Sequence, residues 1–227
     1  MTHSQPALRP GWREIAAGLA MLVVVGFCGG ILIARLPIDP VAIGLIFTAL
    51  SGIAGMAGFL AAFLLRIRAW EAFGVRPTSG RWLLIGAAAG LAAFLLKSLA
   101  ILAYIALTGD DVSPQQIYAT GASGGAGAAL LATIFLTVVT PLGEEFLFRG
   151  VVTRALLRYG PFVGVGGGAL IFALFHGINI VFPAALVAGV IAGEVFRRSG
   201  SIWPAVMVHA VVNLPTIPVM LLASAAP

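Results

Sequence analysis

The sequence predicts an all-α, polytopic transmembrane bundle of about seven spans, and three observations carry that expectation. Hydrophobic residues fill 60% of the 227 positions and charged ones only 9%, a balance that no water-soluble domain of this size can hide in its core. The apolar residues fall into stretches near the roughly 20 residues that cross a bilayer. The basic residues gather in alternate links between those stretches. That pattern orients a membrane protein, so the formal net charge of +5 does not imply a nucleic-acid partner.

Residues 15–36 form the first stretch. It exceeds the core of a signal peptide, and Arg35, Leu36 and Pro37 make no small-residue cleavage site, so it reads as a retained helix. Spans two and three cover about residues 41–65 and 83–107. Arg9 and Arg13 precede span one, and Arg66, Arg68, Arg76 and Arg81 separate spans two and three. Both segments, and with them the N-terminus, are therefore expected in the cytoplasm. The link 108–125 carries Asp110 and Asp111 but no lysine or arginine, and is expected on the other side.

Span four starts near residue 126 and runs as one long helix to Arg158, where Gly160 and Pro161 end it. The glycine-rich residues 121–127 read as its flexible lead-in. Span five covers about residues 162–176, a break follows over 177–183, span six covers 184–198, and span seven covers about 202–222. One membrane domain thus accounts for residues 1–227, with a motif-bearing core in 126–222. Spacings such as Gly26 with Gly30 and Gly86 with Gly90 allow close helix approach. Cys28, the only cysteine, rules out an intrachain disulfide or a multi-cysteine metal site.

An ionisable group inside a span costs about 2.5–3.5 kcal/mol on insertion scales and so needs a partner or a function. Glu144 and Glu145 follow Pro141 in span four, with Arg149 one helical turn past Glu145. Those two share a face and can pair, while Glu144 projects about 100° away. His176 closes span five. His209 and Asn213, four apart, project from one face of span seven. At about 1.5 Å per residue, Glu144 lies roughly 20 Å from Arg158, His176 roughly 25 Å from Gly160, and His209 roughly 17 Å from Arg198. Three helices thus bring these groups to similar depth, and a shared polar cavity is the simplest account. Each group read singly has a structural alternative, either an ion pair or an interhelical hydrogen bond. Lys97 in span three and Glu194 near the end of span six belong to no motif.

Glu144-Glu145-Phe146-Leu147-Phe148-Arg149, then Phe172-Ala173-Leu174-Phe175-His176, then His209-Ala210-Val211-Val212-Asn213 resemble, in order, the three motifs of the CPBP (CAAX prenyl protease 2, or Abi, and bacteriocin-processing) membrane peptidases. The resemblance covers residues 144–213. It implies an intramembrane endopeptidase in which Glu144 and His176 activate a water while His209 and Asn213 stabilise the oxyanion. Glu145 with Arg149 would anchor the helix. The implied substrate is a membrane-associated peptide or protein, with prenylated CAAX proteins as one class, and no cofactor is required.

The chemistry of the residues accommodates this scheme. A carboxylate at membrane depth can take a proton from water and return it to a leaving amine, and amide and imidazole donors act most strongly on a developing oxyanion where the dielectric is low. A rival arrangement is a zinc peptidase with His176, His209 and Glu144 as ligands, although the HExxH spacing is absent. Proton-coupled transport is a third reading, without the inverted repeats that would mark it. A non-catalytic immunity or scaffold protein is a fourth.

Overall fold

At membrane depth no water satisfies backbone N–H and C=O groups, so the apolar stretches must close their own hydrogen bonds as helices. In the computed structural model, which describes residues 9–224, no strand occurs among the described residues. The outer ends of the 1–227 domain, including the N-terminus assigned to the cytoplasm, lie outside the described residues.

In chain order the helices are α1 (Trp12–Ile33), α2 (Pro40–Leu65), α3 (Gly80–Thr108), a short α4 (Gln116–Ala122), α5 (Ala126–Tyr159), α6 (Val163–Phe175), α7 (Val181–Ser199), α8 (Ile202–Asn213) and α9 (Thr216–Ser224). Five segments are long and apolar enough to cross a membrane: α1, α2, α3, α5, and the span Ile202–Ala223 made by α8 and α9. The shorter α6 and the charge-tipped α7 complete the seven helical stretches expected. The protein is a polytopic helical bundle.

Two structural details depart from the sequence reading. The link expected over residues 108–125 contains α4, and Gly121, expected in a flexible lead-in, sits in that helix against α2. A Cβ on Gly44 would stand 2.3 Å from the Gly121 nitrogen, so the two backbones touch. Second, α7 begins at Val181 rather than after Pro183. A proline in the first turn forfeits only an N–H that has no intrahelical acceptor.

Side chains sort by helical face. On α3, Leu84, Leu91, Leu95, Leu99 and Leu102 are exposed and form the lipid-facing stripe. The opposite face carries the buried Gly86, Gly90 and Ala93. Cβ atoms on Gly86 and Gly90 would lie 2.5 Å and 2.8 Å from the carbonyl oxygens of Pro204 and Val208. Helices α3 and α8 therefore meet backbone to backbone, as small-residue spacing allows. Gly52 and Gly143 do the same for α2 and α5, where a Cβ on Gly143 would fall 1.7 Å from Gly52 O.

The arginine-rich ends share one end of the bundle. Arg66 pairs with the buried Glu14 at 3.0 Å, Arg158 donates to Pro10 O, Arg154 donates to Ala72 O at 3.2 Å, and Ser201 donates to Arg76 O at 2.8 Å. Glu194 bonds Arg197 and Arg198 of its own helix, a surface arrangement remote from any motif.

Candidate active site

The segment Thr140–Glu145 is α-helical but lies between two π-helical segments, Phe135–Val139 and Phe146–Thr153. Proline explains the first. Pro141 has no N–H and cannot continue the regular ladder, and the turn before it widens so that Thr140 N–H bonds back to Phe135 O. The next bond in that register would need an N–H from Pro141, so Leu136 O is left without one. Asn213 of α8 supplies the missing donor, its Nδ2 lying 3.0 Å from Leu136 O. One amide hydrogen of Asn213 thus ties α8 to α5, and the other remains for a ligand.

The close approach at Gly143 holds the next two residues, Glu144 and Glu145, against the bundle. Glu144 is 4% exposed and Glu145 0%. Both turn toward His209 of α8, whose Nδ1 lies 2.9 Å from Glu145 Oε1 and whose Nε2 lies 3.8 Å from Glu144 Oε2. The expected pairing of Glu145 with Arg149 is present, Arg149 Nη1 lying 2.9 Å from Glu145 Oε1 as a charge contact without hydrogen-bond alignment. Arg149 is 2% exposed, donates to Gly189 O of α7 at 3.3 Å, and lies 4.6 Å over the Phe172 ring. That arrangement is a favourable one for a desolvated guanidinium.

His176 caps the C-terminal end of α6 and turns its Nδ1 back to Phe172 O at 2.9 Å. A carbonyl only accepts, so Nδ1 carries the hydrogen, and in the neutral ring Nε2 is left as an acceptor. Gly177, at φ 80°, makes the turn that no side-chain-bearing residue makes easily. Asn179 fixes the turn, donating to His176 O at 2.8 Å and accepting from Val181 N at 2.8 Å. The Phe172 ring stands edge-on to both His176 and His209, with centroids 4.7 Å and 5.9 Å apart. It is the common wall between the two histidines.

Glu144, His176, His209 and Asn213 all line one cavity of about 830 Å³, together with Lys97 and Tyr118. Glu145 and Arg149 lie behind that wall. The six site residues expected from sequence therefore converge, in two layers. Glu144 Oε2 and Glu145 Oε2 are buried without a hydrogen-bond partner among the described residues, and of the two only Glu144 faces the cavity. Among the described residues, no three His, Cys, Asp or Glu side chains are placed to hold a metal ion.

Sequence reasoning missed three parts of the site. It gave Glu145 one partner, whereas Glu145 also holds His209. It named Phe172 only as part of a motif and not as a wall. It left Lys97 outside, although Lys97 lies on the cavity. The orphaned Leu136 carbonyl did leave a signal, in Pro141.

A helical bundle with buried carboxylates and histidines facing a cavity presents the groups that the class of membrane-embedded hydrolytic proteins requires. The comparison with known families makes the class specific. Residues 126–215 match the family described as type II CAAX prenyl endopeptidase Rce1-like, which supports the likeness of this segment to the CPBP peptidases. The matched segment spans α5 to α8 and contains every site residue named above except Lys97 and Tyr118. No curated protein and no solved structure matches the chain.

Proposed function

We propose that the protein is an intramembrane endopeptidase that hydrolyses a peptide bond of a membrane-associated, CAAX-type substrate with a water activated by Glu144. The observation that carries this reading is the unpartnered Glu144 Oε2 on the cavity wall, beside a histidine that a second carboxylate holds in place. A water donating one hydrogen to Glu144 and the other to His176 Nε2 would present its lone pairs to a carbonyl in the cavity. Glu144 takes the proton as the carbon–oxygen bond forms and returns it to the leaving amine as the carbon–nitrogen bond breaks.

His209 and the free amide hydrogen of Asn213 face the developing oxyanion. With Nδ1–H given to Glu145, His209 donates through Nε2 only as imidazolium. The charges then balance: Glu144 and Glu145 negative, Arg149 and His209 positive. Proton transfer to Glu144 and formation of the oxyanion leave that sum unchanged, so these four residues add no net charge to the low-dielectric site at either stage. The scheme routes no step through a metal. The zinc reading, with Glu144, His176 and His209 as ligands, is separated from it by the response to chelation. The arginine-rich end of the bundle is taken as cytoplasmic.

The test uses purified protein in lipid nanodiscs, a farnesyl-cysteine peptide with a free C-terminus, and mass spectrometry of the products. Cleavage on the C-terminal side of the modified cysteine by wild type, and none by Glu144→Gln of equal thermal stability, supports the proposal. Equal turnover by the variant would remove Glu144 from the base role. No cleavage by either, with this peptide or its unmodified twin, would remove the peptidase reading.

A further inference from the structure

We propose that Lys97 is the anchor for the terminal carboxylate of the substrate, so that the enzyme selects peptides cut close to a free C-terminus; this rests on the peptidase reading above. Lys97 continues the inward stripe of Gly86, Gly90 and Ala93 on α3, four residues past Ala93, and not the lipid-facing leucine stripe. It lies about 16 Å from the Thr108 end of its helix and about 25 Å from the Gly80 end, deeper than the headgroup region. A lysine with nothing to do at such a depth stretches toward the interface. This one instead turns to α8, where its Nζ donates to Val212 O at 3.2 Å with the Phe94 ring 5.4 Å away.

An ammonium has three donors. Among the described residues no carboxylate pairs with Lys97, and its hydrogen bond to Val212 O is joined by no other. Among the residues lining the cavity Lys97 is the only lysine or arginine and Glu144 the only acid. A cation at this depth requires an anion or a polar path, and this cavity holds the motif residues. The carbonyl it touches belongs to the residue before Asn213, so the charge sits at the oxyanion side of the site. In the proposed binding mode the peptide runs so that its leaving segment, and not the retained one, reaches the ammonium. The anionic group such a segment offers in every sequence is its α-carboxylate. Lipid phosphate offers similar chemistry but resides at the interface, well above this depth.

The test pairs two farnesyl-cysteine peptides that differ only at the last residue, one a free acid and one an amide, with wild type, Lys97→Met and Lys97→Arg in nanodiscs. Removing a charge-assisted hydrogen bond from a binding site weakens binding by about 10- to 100-fold. Wild type is expected to prefer the acid by that factor, mainly in KM. Lys97→Met should bring the ratio near one, whatever its absolute rate on the amide, and Lys97→Arg should restore much of the preference. A preference that survives in Lys97→Met, or equal loss on both peptides in a variant that unfolds at the wild-type temperature, would overturn the proposal. Binding of the same acid and amide peptides to Glu144→Gln, with and without Lys97→Met, separates the two readings. If wild type cuts neither peptide but Lys97 still governs acid-selective binding, the peptidase reading fails and the anchor stands. If binding shows no selectivity, the anchor fails on its own.

Discussion

His209 Nδ1 and Glu145 Oε1 lie 2.9 Å apart across two helices separated by 64 positions in the chain, so the carboxylate that neutralises Arg149 also fixes which face of the His209 ring meets the cavity. This couples the stability of the site to its chemistry. An acid that only anchored its own helix would need no contact with α8.

Glu145→Gln tests the coupling. The amide keeps the size of the carboxylate but lacks its charge, leaving Arg149 buried without a counter-ion and His209 Nδ1 without its carboxylate partner. Stability is expected to fall by about 3–5 kcal/mol, the usual cost of breaking a buried pair. The kcat of the folded fraction should fall at least about 10²-fold, since orienting carboxylates of this kind are worth up to about 10⁴-fold. Thermal unfolding and single-turnover rates read the two effects separately. A variant that loses stability but turns over normally would confine Glu145 to an anchoring role.

Arg149→Ala should act mainly on folding. It leaves Glu145 charged and buried, abandons the Gly189 carbonyl and strips the guanidinium from Phe172, at a cost of about 3–5 kcal/mol. Arg149→Lys keeps the charge but not the planar fork over the ring, and is expected to recover only part of the loss. Unfolding temperature in detergent is the measurement. A stable, folded and inactive Arg149→Ala protein would move Arg149 into the chemical step.

The seven helical stretches were legible because bilayer thickness sets their length and positive charge sets their ends, both of which are one-dimensional signals. The Glu145–Arg149 pair was legible for the same reason, since four residues are one turn. The approach of Glu145 to His209 was not, because it depends on how α5 and α8 rotate against each other. That rotation is set by backbone packing at Gly52 with Gly143 and at Gly86 and Gly90 with α8. The π-helical turns before and after Thr140–Glu145 further shift the phase on which a simple helical wheel rests. The place of Lys97 on the cavity was not legible for a similar reason: its depth was visible, while its face became meaningful only once the inward stripe of α3 was seen to abut α8.

Removal of metal separates the two peptidase mechanisms. With Glu144 as the base, protein dialysed against a strong chelator and then freed of it should contain less than about 0.1 zinc per chain and retain its rate, because every proton and charge is handled by side chains. A zinc-dependent enzyme would lose activity on chelation and regain it with added zinc. Elemental analysis near one zinc per chain together with that cycle would replace the glutamate-base scheme by the zinc one.

Asn213 carries two tasks that one substitution cannot resolve but a pair can. Its Nδ2 satisfies the carbonyl that Pro141 orphans, and its second amide hydrogen is assigned to the oxyanion. Asn213→Ala removes both donors. It should cost about 1–3 kcal/mol of stability for the buried carbonyl left alone, and about 10²–10³-fold in kcat, the usual loss for one oxyanion donor. Asn213→Gln keeps the amide but lengthens its reach by one methylene, so the donor to Leu136 O survives only if the side chain folds back, which draws the second hydrogen away from the cavity. Stability near wild type with kcat still reduced about 10²-fold is therefore expected of this variant. If both variants lose stability and neither loses turnover in the folded fraction, Asn213 is a strut between α5 and α8, and His209 alone meets the oxyanion. Measured side by side with KM, a loss confined to kcat identifies a donor that acts in the transition state and not on the bound peptide.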